Sequence, residues 1–98
     1  MLIIRKLVWD TWNINHITRH HITPDEVEAI CHGEPVVLRG QQKNRFVLIG
    51  QAEEKRILGV VLEARGRGKY YPITAYEATA SDAKLYYRLR GGEKNDKN

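Results

Sequence analysis

Chemically reactive and charged side chains are concentrated around one predicted turn, the 66–68 bend. An acid, three cations and two phenols lie near it in sequence: Glu63, Arg65, Arg67, Lys69, Tyr71 and Tyr76. RNA cleavage without a metal needs a base, an acid and cations that stabilise the oxyanion formed when a 2′-hydroxyl attacks its neighbouring phosphate. These residue types meet all three requirements. A solvated hairpin tip has a similar composition, and from this stretch alone that simpler interpretation is favoured.

The same residues indicate how RNA would be held and cleaved. Histidine, glutamate or tyrosine can transfer the protons, and Arg45, Arg65 and Lys69 can supply positive charge. Exposed Tyr71 or Tyr76 can stack against unpaired bases. In the alternative interpretation the tyrosines are strand residues that pack beneath the last helix. Adjacent tyrosines in this strand point to opposite faces, so at least one of them packs inward.

Other reactive groups in the chain are weaker candidates for chemistry. His16 and His20 have the helical i, i+4 spacing at which two imidazoles can share a metal, and Cys31 or His32 is available to complete a site. No HExxH or CxxC motif accompanies them, so an exposed helix face is the favoured interpretation. Cys31 lies on the apolar stripe of its predicted helix, which argues against a nucleophile. We predict neither a metal nor a cofactor.

Size and composition predict one small intracellular domain. The chain has 98 residues, of which 42% are hydrophobic and 29% charged, and a core of this size is modest. Cys31 is the only cysteine, which excludes an intramolecular disulfide and favours a reducing compartment. Residues 1–8 are too few for a signal peptide, and no stretch approaches the length of a membrane span. A cytoplasmic protein without membrane association is therefore predicted.

Positive charge is distributed unevenly along the chain, whose net charge is +4. Residues 1–40 carry four Lys or Arg against five Asp or Glu, whereas residues 41–90 carry ten against five. The excess therefore falls on the predicted strands and last helix, where it can attract a polyanion such as RNA, DNA or an acidic protein segment. Many basic proteins bind no nucleic acid, so charge alone does not decide between these partners.

Hydrophobic periodicity and capping residues predict the elements that position these groups. Strands are expected over residues 2–8, 36–38, 45–50, 57–62 and 69–76. Helices are expected over residues 11–20, from residue 24 to a stop at Gly33, and from residue 80 to about residue 90, with Asp10, Thr23 and Thr79 as N-caps. The 57–62 strand is apolar on both faces, which places it centrally in the sheet.

The order strand, two helices, four strands, helix predicts an α+β fold. Hairpin-connected strands imply an antiparallel sheet of about five strands. It packs against two N-terminal helices and one C-terminal helix, with helices on one face and the other face partly open. Residues 1–90 are expected to form this small single domain, and residues 91–98 a disordered tail.

Several short motifs, in order along the chain, resemble those of the BrnT family of bacterial toxins. They are Trp9-Asp10, HITRHH at 16–21, TPDE at 23–26, RFVLIG at 45–50, VVLEARG at 60–66 and TAYEA at 74–78. Each motif is short, but their order and spacing cover residues 9–87. The resemblance implies a RelE-like ribonuclease fold with the layers predicted above.

The resemblance also implies a function. A BrnT-like chain is expected to be the toxin of a type II toxin–antitoxin pair, a metal-independent endoribonuclease that inhibits translation. Its expected partners are RNA and a ribbon-helix-helix antitoxin, with which it forms an oligomer. The implied catalytic residues are His20, Glu63, Arg65 and Tyr76, and the RNA-binding residues assigned with them are Arg45, Arg67, Lys69, Tyr71 and Arg88.

The chain departs from the family pattern at three positions. Tyr76 stands where the family usually has arginine, so it would stack or donate a proton instead of supplying a fixed charge. His21 replaces a helix-ending glycine, and Pro72 favours an edge or a bulge in its strand. A second hypothesis therefore treats the same fold as a non-catalytic module that binds nucleic acid or protein. It predicts salt-sensitive binding without cleavage.

Overall fold

The chain folds into a five-stranded sheet with helices on both faces. The structure is a computed structural model that describes residues 2–53 and 56–91. Its strands are β1 (Lys6–Leu7), β2 (Val36–Arg39), β3 (Arg45–Gln51), β4 (Ile57–Gly66) and β5 (Lys69–Glu77), and its helices are α1 (Thr11–Thr18), α2 (Pro24–Cys31) and α3 (Ala80–Tyr86). None of these helices is long and apolar enough to span a bilayer. The predicted 91–98 tail lies, from residue 92 onward, outside the described residues.

Strand β4 occupies the centre of the sheet, whose order is β1-β5-β4-β3-β2. The central position predicted for the 57–62 segment is thus confirmed. Neighbouring strands are antiparallel with one exception, because β1 runs parallel to β5 and pairs Lys6 with Lys69. The sheet is therefore mixed, and not wholly antiparallel as predicted.

The first strand is much shorter than the 2–8 segment predicted from its apolar residues. The backbone N–H groups of Arg5 and Lys6 both donate to one carbonyl of the β4–β5 turn, at 2.8 and 3.2 Å. Asp10 then caps α1 by accepting from the Asn13 N–H at 2.9 Å. Because this cap follows so closely, the chain turns away from the sheet edge before the strand can lengthen.

Strands β4 and β5 are joined by the tight turn predicted from the glycine pair. Gly66, Arg67 and Gly68 have φ values of 91°, 59° and 80°, in the left-handed region that glycine adopts without steric cost. Both strands are longer than predicted, since β4 runs to Gly66 and β5 to Glu77. The pairing shifts register beside Pro72, which is the bulge expected from a residue without an N–H.

Helices α1 and α2 cover one face of the sheet and form the main core. Its innermost side chains are at most 2% exposed: Ile17, Ile22, Val27, Ile30, Leu48, Leu58, Val60, Leu62 and Ala75. Burial of each valine, leucine or isoleucine side chain among them stabilises the fold by roughly 1.5–3 kcal/mol. Since Ile17 lies in the last turn of α1, this packing fixes the C-terminal part of the helix. The N-terminal turn is held beside β5 by the Asn13 amide, which donates to the Pro72 carbonyl at 3.1 Å.

Helix α3 packs on the opposite face, contrary to the prediction that all helices share one face. Tyr86 packs there against Val36 and Ile49. A central strand that is apolar on both faces needs cover on both, and α3 supplies the second layer. The helix is shorter than predicted and continues as a π-helical turn, Tyr87–Gly91. Its contacts lie on the half of the sheet face that carries Val36 and Ile49, away from the row of Arg45.

Gly59 in β4 makes room for the ring of Tyr76 in β5. A Cβ atom at Gly59 would lie 2.6 Å from Tyr76 Oη and closer still to the ring. We expect Gly59→Ala to lower the free energy of unfolding by about 2 kcal/mol, a typical cost of overpacking. Urea unfolding followed by circular dichroism measures this change.

The same substitution in a Tyr76→Ala background is the control for this prediction. Once the ring is removed, Gly59→Ala should cost less than about 0.5 kcal/mol, because the clash is absent and alanine restricts the unfolded chain. If Gly59→Ala lowers the free energy of unfolding equally with tyrosine and with alanine at position 76, the Tyr76 ring is not the reason for a glycine at position 59.

Candidate functional site

Three of the predicted site residues lie side by side on the sheet face that α3 covers only in part. Arg45 of β3 is opposite Glu63 of β4, and Glu63 is opposite Tyr71 of β5. Residues paired across neighbouring strands point to the same face, so these side chains form one row. Arg65 extends the row toward the hairpin, and Asp10 reaches it from the start of α1. We call these five residues the Arg65 cluster.

Ionic and aromatic contacts orient the two arginines of the cluster. Glu63 accepts from Arg65 Nε at 2.8 Å and from Arg45 Nη2 at 3.5 Å. The Arg65 guanidinium lies over the Tyr71 ring, 4.4 Å from its centroid, in a cation–π arrangement. Because 46% of the Arg65 side chain is exposed, it can bind an anion without any change in the backbone. Such surface ion pairs contribute little to stability.

The Tyr71 hydroxyl donates to both carboxylate oxygens of Asp10, at 2.9 and 3.0 Å. The same carboxylate accepts a hydrogen bond from the Asn13 backbone N–H, and this bond lowers the pKa of Asp10. The hydrogen bond from Tyr71 and the charge of Arg65 lower it further. Desolvation, followed by the hydrogen bond to Asp10, raises the pKa of Tyr71. The phenol therefore keeps its proton at neutral pH and, as a weak acid, transfers it readily only to a strongly basic oxygen. Asp10 was predicted as a helix cap and belongs to the Trp9-Asp10 motif, but it was not among the predicted site residues.

Further positive charge borders the Arg65 cluster at the hairpin. Lys6 pairs with Lys69 between β1 and β5, the Arg5 side chain lies close to Gly68, and Arg67 occupies the turn itself. Arg67 and Lys69 were predicted to bind RNA, whereas Arg5 and Lys6 were not, because the parallel pairing of β1 with β5 joins segments that are distant in sequence. Together these residues concentrate positive charge at the hairpin end of the sheet, and such charge attracts polyanions.

Tyr76, predicted as a catalytic residue, lies on the same sheet face but in a different place. It is opposite Gly59, whereas Tyr71 is opposite Glu63, and the intervening strand residues at about 3.3 Å each separate the two rows by roughly 13 Å. The Tyr76 hydroxyl donates to Asp82 of α3 at 3.5 Å. Desolvation, together with the Asp82 charge, raises the pKa of Tyr76. Its ring thus packs beneath α3, as in the alternative interpretation of the tyrosines.

His20 and Arg88 also lie apart from the Arg65 cluster. His20 is exposed just beyond α1, and its ring meets His16 edge-on with centroids 5.5 Å apart. Arg88 is exposed in the π-helical turn after α3. The structure brings the following predicted site residues together at the hairpin end of the sheet: Arg45, Glu63, Arg65, Arg67, Lys69 and Tyr71.

Metal and thiol chemistry have little basis in the described residues. Within residues 2–53 and 56–91, no three His, Cys, Asp or Glu side chains converge as a metal site. Cys31 is buried, and desolvation, with the charge of Glu28, raises the pKa of its thiol to about 12. The thiol is therefore protonated at neutral pH. A nucleophilic cysteine has to be a thiolate, so Cys31 is not suited to this role.

Comparison with known proteins identifies the fold. No protein-family model matches the sequence, and no curated protein matches it significantly. The structure is similar to the 1.1 Å crystal structure of the ribonuclease toxin BrnT from Brucella abortus, with a TM-score of 0.60 and 19% sequence identity. The match covers 76% of this chain and 96% of that chain. The chain therefore has a BrnT-like fold, which confirms the fold implied by its motifs.

Proposed function

We propose that this chain, with its BrnT-like fold, is the toxin of a type II toxin–antitoxin pair. It acts in the cytoplasm as a metal-independent endoribonuclease that inhibits translation. The observation that carries this proposal is the Arg65 cluster, which joins two cations, two carboxylates and a phenol on one open part of the sheet. Support also comes from the Brucella abortus protein of similar fold, which is a ribonuclease toxin.

Arg65 and Arg45 bind the scissile phosphate in this proposal. Both guanidiniums already point toward Glu63, so they converge on one region before RNA binds. Cations oriented in advance stabilise the charge that develops on phosphorus oxygens without reorganising during the reaction. Lys69 and Arg67 hold neighbouring phosphates and thereby align the RNA strand.

Glu63 and Tyr71 divide the proton transfers. The phosphate displaces Glu63 from the arginines, and the freed carboxylate takes the proton of the attacking 2′-hydroxyl. The new bond forms between the 2′-oxygen and phosphorus, the bond from phosphorus to the 5′-oxygen breaks, and Tyr71 protonates the leaving oxygen, which is more basic than a phenolate. Asp10 orients the Tyr71 hydroxyl at 2.9 Å. The products are a 2′,3′-cyclic phosphate and a 5′-hydroxyl.

Incubation of the purified protein with end-labelled single-stranded RNA in excess EDTA tests this activity. We expect cleavage that leaves a 2′,3′-cyclic phosphate. The control is a matched RNA with one 2′-deoxyribose at the cleaved position, which should resist cleavage there because it lacks the nucleophile. A 3′-hydroxyl product, or loss of activity on addition of EDTA, contradicts the proposed mechanism.

A cognate antitoxin, expected to be a ribbon-helix-helix protein, is the partner that this function requires. Its support is the similarity of fold to a bacterial toxin. Growth arrest on expression of the chain in bacteria, relieved by co-expression of the product of an adjacent gene, tests the pairing. Expression without any effect on growth contradicts it.

A non-catalytic binding module is the second candidate function. It is favoured by the positions of His20 and Tyr76 outside the Arg65 cluster, since catalysis is then left to side chains that already bind one another. This candidate predicts salt-sensitive RNA binding without cleavage in the EDTA assay.

A further inference from the structure

Helix α1 and the turn after it carry a row of aromatic rings, of which Trp12 and His20 are exposed and His16 is half-buried. The planes of Trp12 and His16 are 7° from parallel with centroids 5.0 Å apart, and His16 meets His20 edge-on at 5.5 Å. Trp12 is 57% exposed, although it is the largest side-chain type. We call these three residues the α1 aromatic ladder.

Stacking keeps the ladder ordered without burying it in the core. The main core contains Ile17 of the same helix but none of the ladder rings, so the fold gains little from an indole at position 12. A planar ring held in a fixed orientation loses little freedom when a flat ligand stacks on it. Unpaired nucleic acid bases are such ligands, and they bind exposed aromatic side chains with little dependence on sequence.

The ladder follows a residue of the Arg65 cluster closely along the chain. Trp12 is in the first turn of α1, two residues after Asp10, whose carboxylate accepts from Tyr71. Residues 11–21 include Arg19 but no Asp or Glu, so this segment carries no negative side chain that would repel a polyanion. At about 1.5 Å per residue, the ladder is roughly 12 Å long, enough for a few nucleotides.

We propose that the α1 aromatic ladder stacks the unpaired bases of the single-stranded RNA whose backbone binds the Arg65 cluster. The inference rests on the proposed function for the identity of the ligand and adds a second element to the site. The Arg65 cluster binds phosphate, and Trp12 with His16 binds bases. RNA leaving the cluster past Tyr71 and Asp10 then passes around the edge of the sheet and continues along α1, which packs on the opposite face.

Binding of two uncleavable ligands separates base stacking from charge. One is a fluorescent 2′-O-methyl oligoadenylate, which has no 2′-hydroxyl proton, and the other is an abasic oligomer of the same length and charge. We expect Trp12→Ala to weaken binding of the oligoadenylate about tenfold, within the range for loss of one stacked base. It should leave binding of the abasic oligomer unchanged, along with the salt dependence of both affinities, because stacking releases no counterions.

Two matched variants complete the experiment. Trp12→Phe keeps a stacking ring and should retain most of the affinity, whereas Ile14→Ala removes a 36% exposed apolar side chain from the same helix and should have no effect. If Trp12→Ala lowers the affinity for both ligands equally, Trp12 has a structural role and the proposal is overturned. Unchanged binding of oligoadenylate by Trp12→Ala also overturns the proposal, and a protein would then be the partner to test on the ladder.

The outcome is independent of the nuclease assay. Trp12-dependent binding of bases by a protein that cleaves no RNA supports the ladder and removes the proposed catalytic function. If the protein cleaves RNA but its binding does not depend on Trp12, the base-stacking proposal is wrong and the proposed nuclease function stands. A wild-type protein that binds neither ligand overturns the inference.

Discussion

Replacing Arg65 with alanine is expected to slow RNA cleavage by about 100-fold or more, the usual cost of removing a preorganised donor from a transition state. Arg65 donates to Glu63 and lies over the Tyr71 ring. Its loss therefore removes one partner of the phosphate oxygens and also the contacts that orient both proton-transfer groups. The measurement is the single-turnover rate constant on end-labelled RNA with the protein in excess.

Two control variants separate geometry from net charge. Arg65→Lys keeps the charge but not the planar fork that bonds Glu63 while stacking on Tyr71, so it should recover only part of the rate. Lys84→Ala removes one charge from the exposed surface of α3 and should cleave at the wild-type rate. Equal losses in Arg65→Ala and Lys84→Ala would show that overall charge, and not this site, governs the reaction.

Stability measurements exclude a folding explanation for the Arg65 result. An exposed ion pair contributes roughly 0–1 kcal/mol, so urea unfolding of Arg65→Ala should nearly match that of the wild type. A large loss of stability would place Arg65 among the residues that hold the fold together.

Local signals in the sequence predicted most of the secondary structure. The capping box of Thr23 and Glu26 begins α2 as expected, and the 66–68 bend forms the expected turn. An apolar pattern on both faces placed β4 at the centre of the sheet. The same pattern implied cover on both faces, but it did not specify which helix supplies it, because that choice depends on the path of the connecting loops.

The candidate site was predictable only where its residues are close in sequence. Glu63 and Arg65 flank the same turn, and their contact follows directly from strand geometry. The bond between Tyr71 and Asp10 joins distant segments, which no local pattern specifies. Strict alternation would also place Tyr71 and Tyr76 on opposite faces. The bulge in β5 returns both to one face, at a separation of roughly 13 Å along the strand that still prevents contact.

Asn13→Ala is expected to lower the free energy of unfolding by about 3 kcal/mol, because it removes several hydrogen bonds at a fully buried position. Asn13 is 0% exposed. Its Nδ2 donates to the carbonyls of Val8 and Pro72 at 3.0 and 3.1 Å, and its Oδ1 accepts from the Asp10 N–H at 2.9 Å. Alanine removes these three partners and half of the capping box of α1. Thermal unfolding should shift downward by roughly 12–24 °C.

Two substitutions distinguish hydrogen bonding from packing at this position. Asn15→Ala, on the exposed side of α1, should change stability by less than about 0.5 kcal/mol. Asn13→Asp keeps the volume but turns an oxygen toward the two carbonyls, so it should destabilise at least as much as Asn13→Ala. Tolerance of Asn13→Asp would show that packing is what matters there. Asn13 Oδ1 also accepts from the backbone N–H of Asp10, the residue whose carboxylate accepts from Tyr71. Alanine keeps the backbone N–H that donates to this carboxylate, so Asn13→Ala should loosen the backbone of Asp10 without removing its contact to Tyr71.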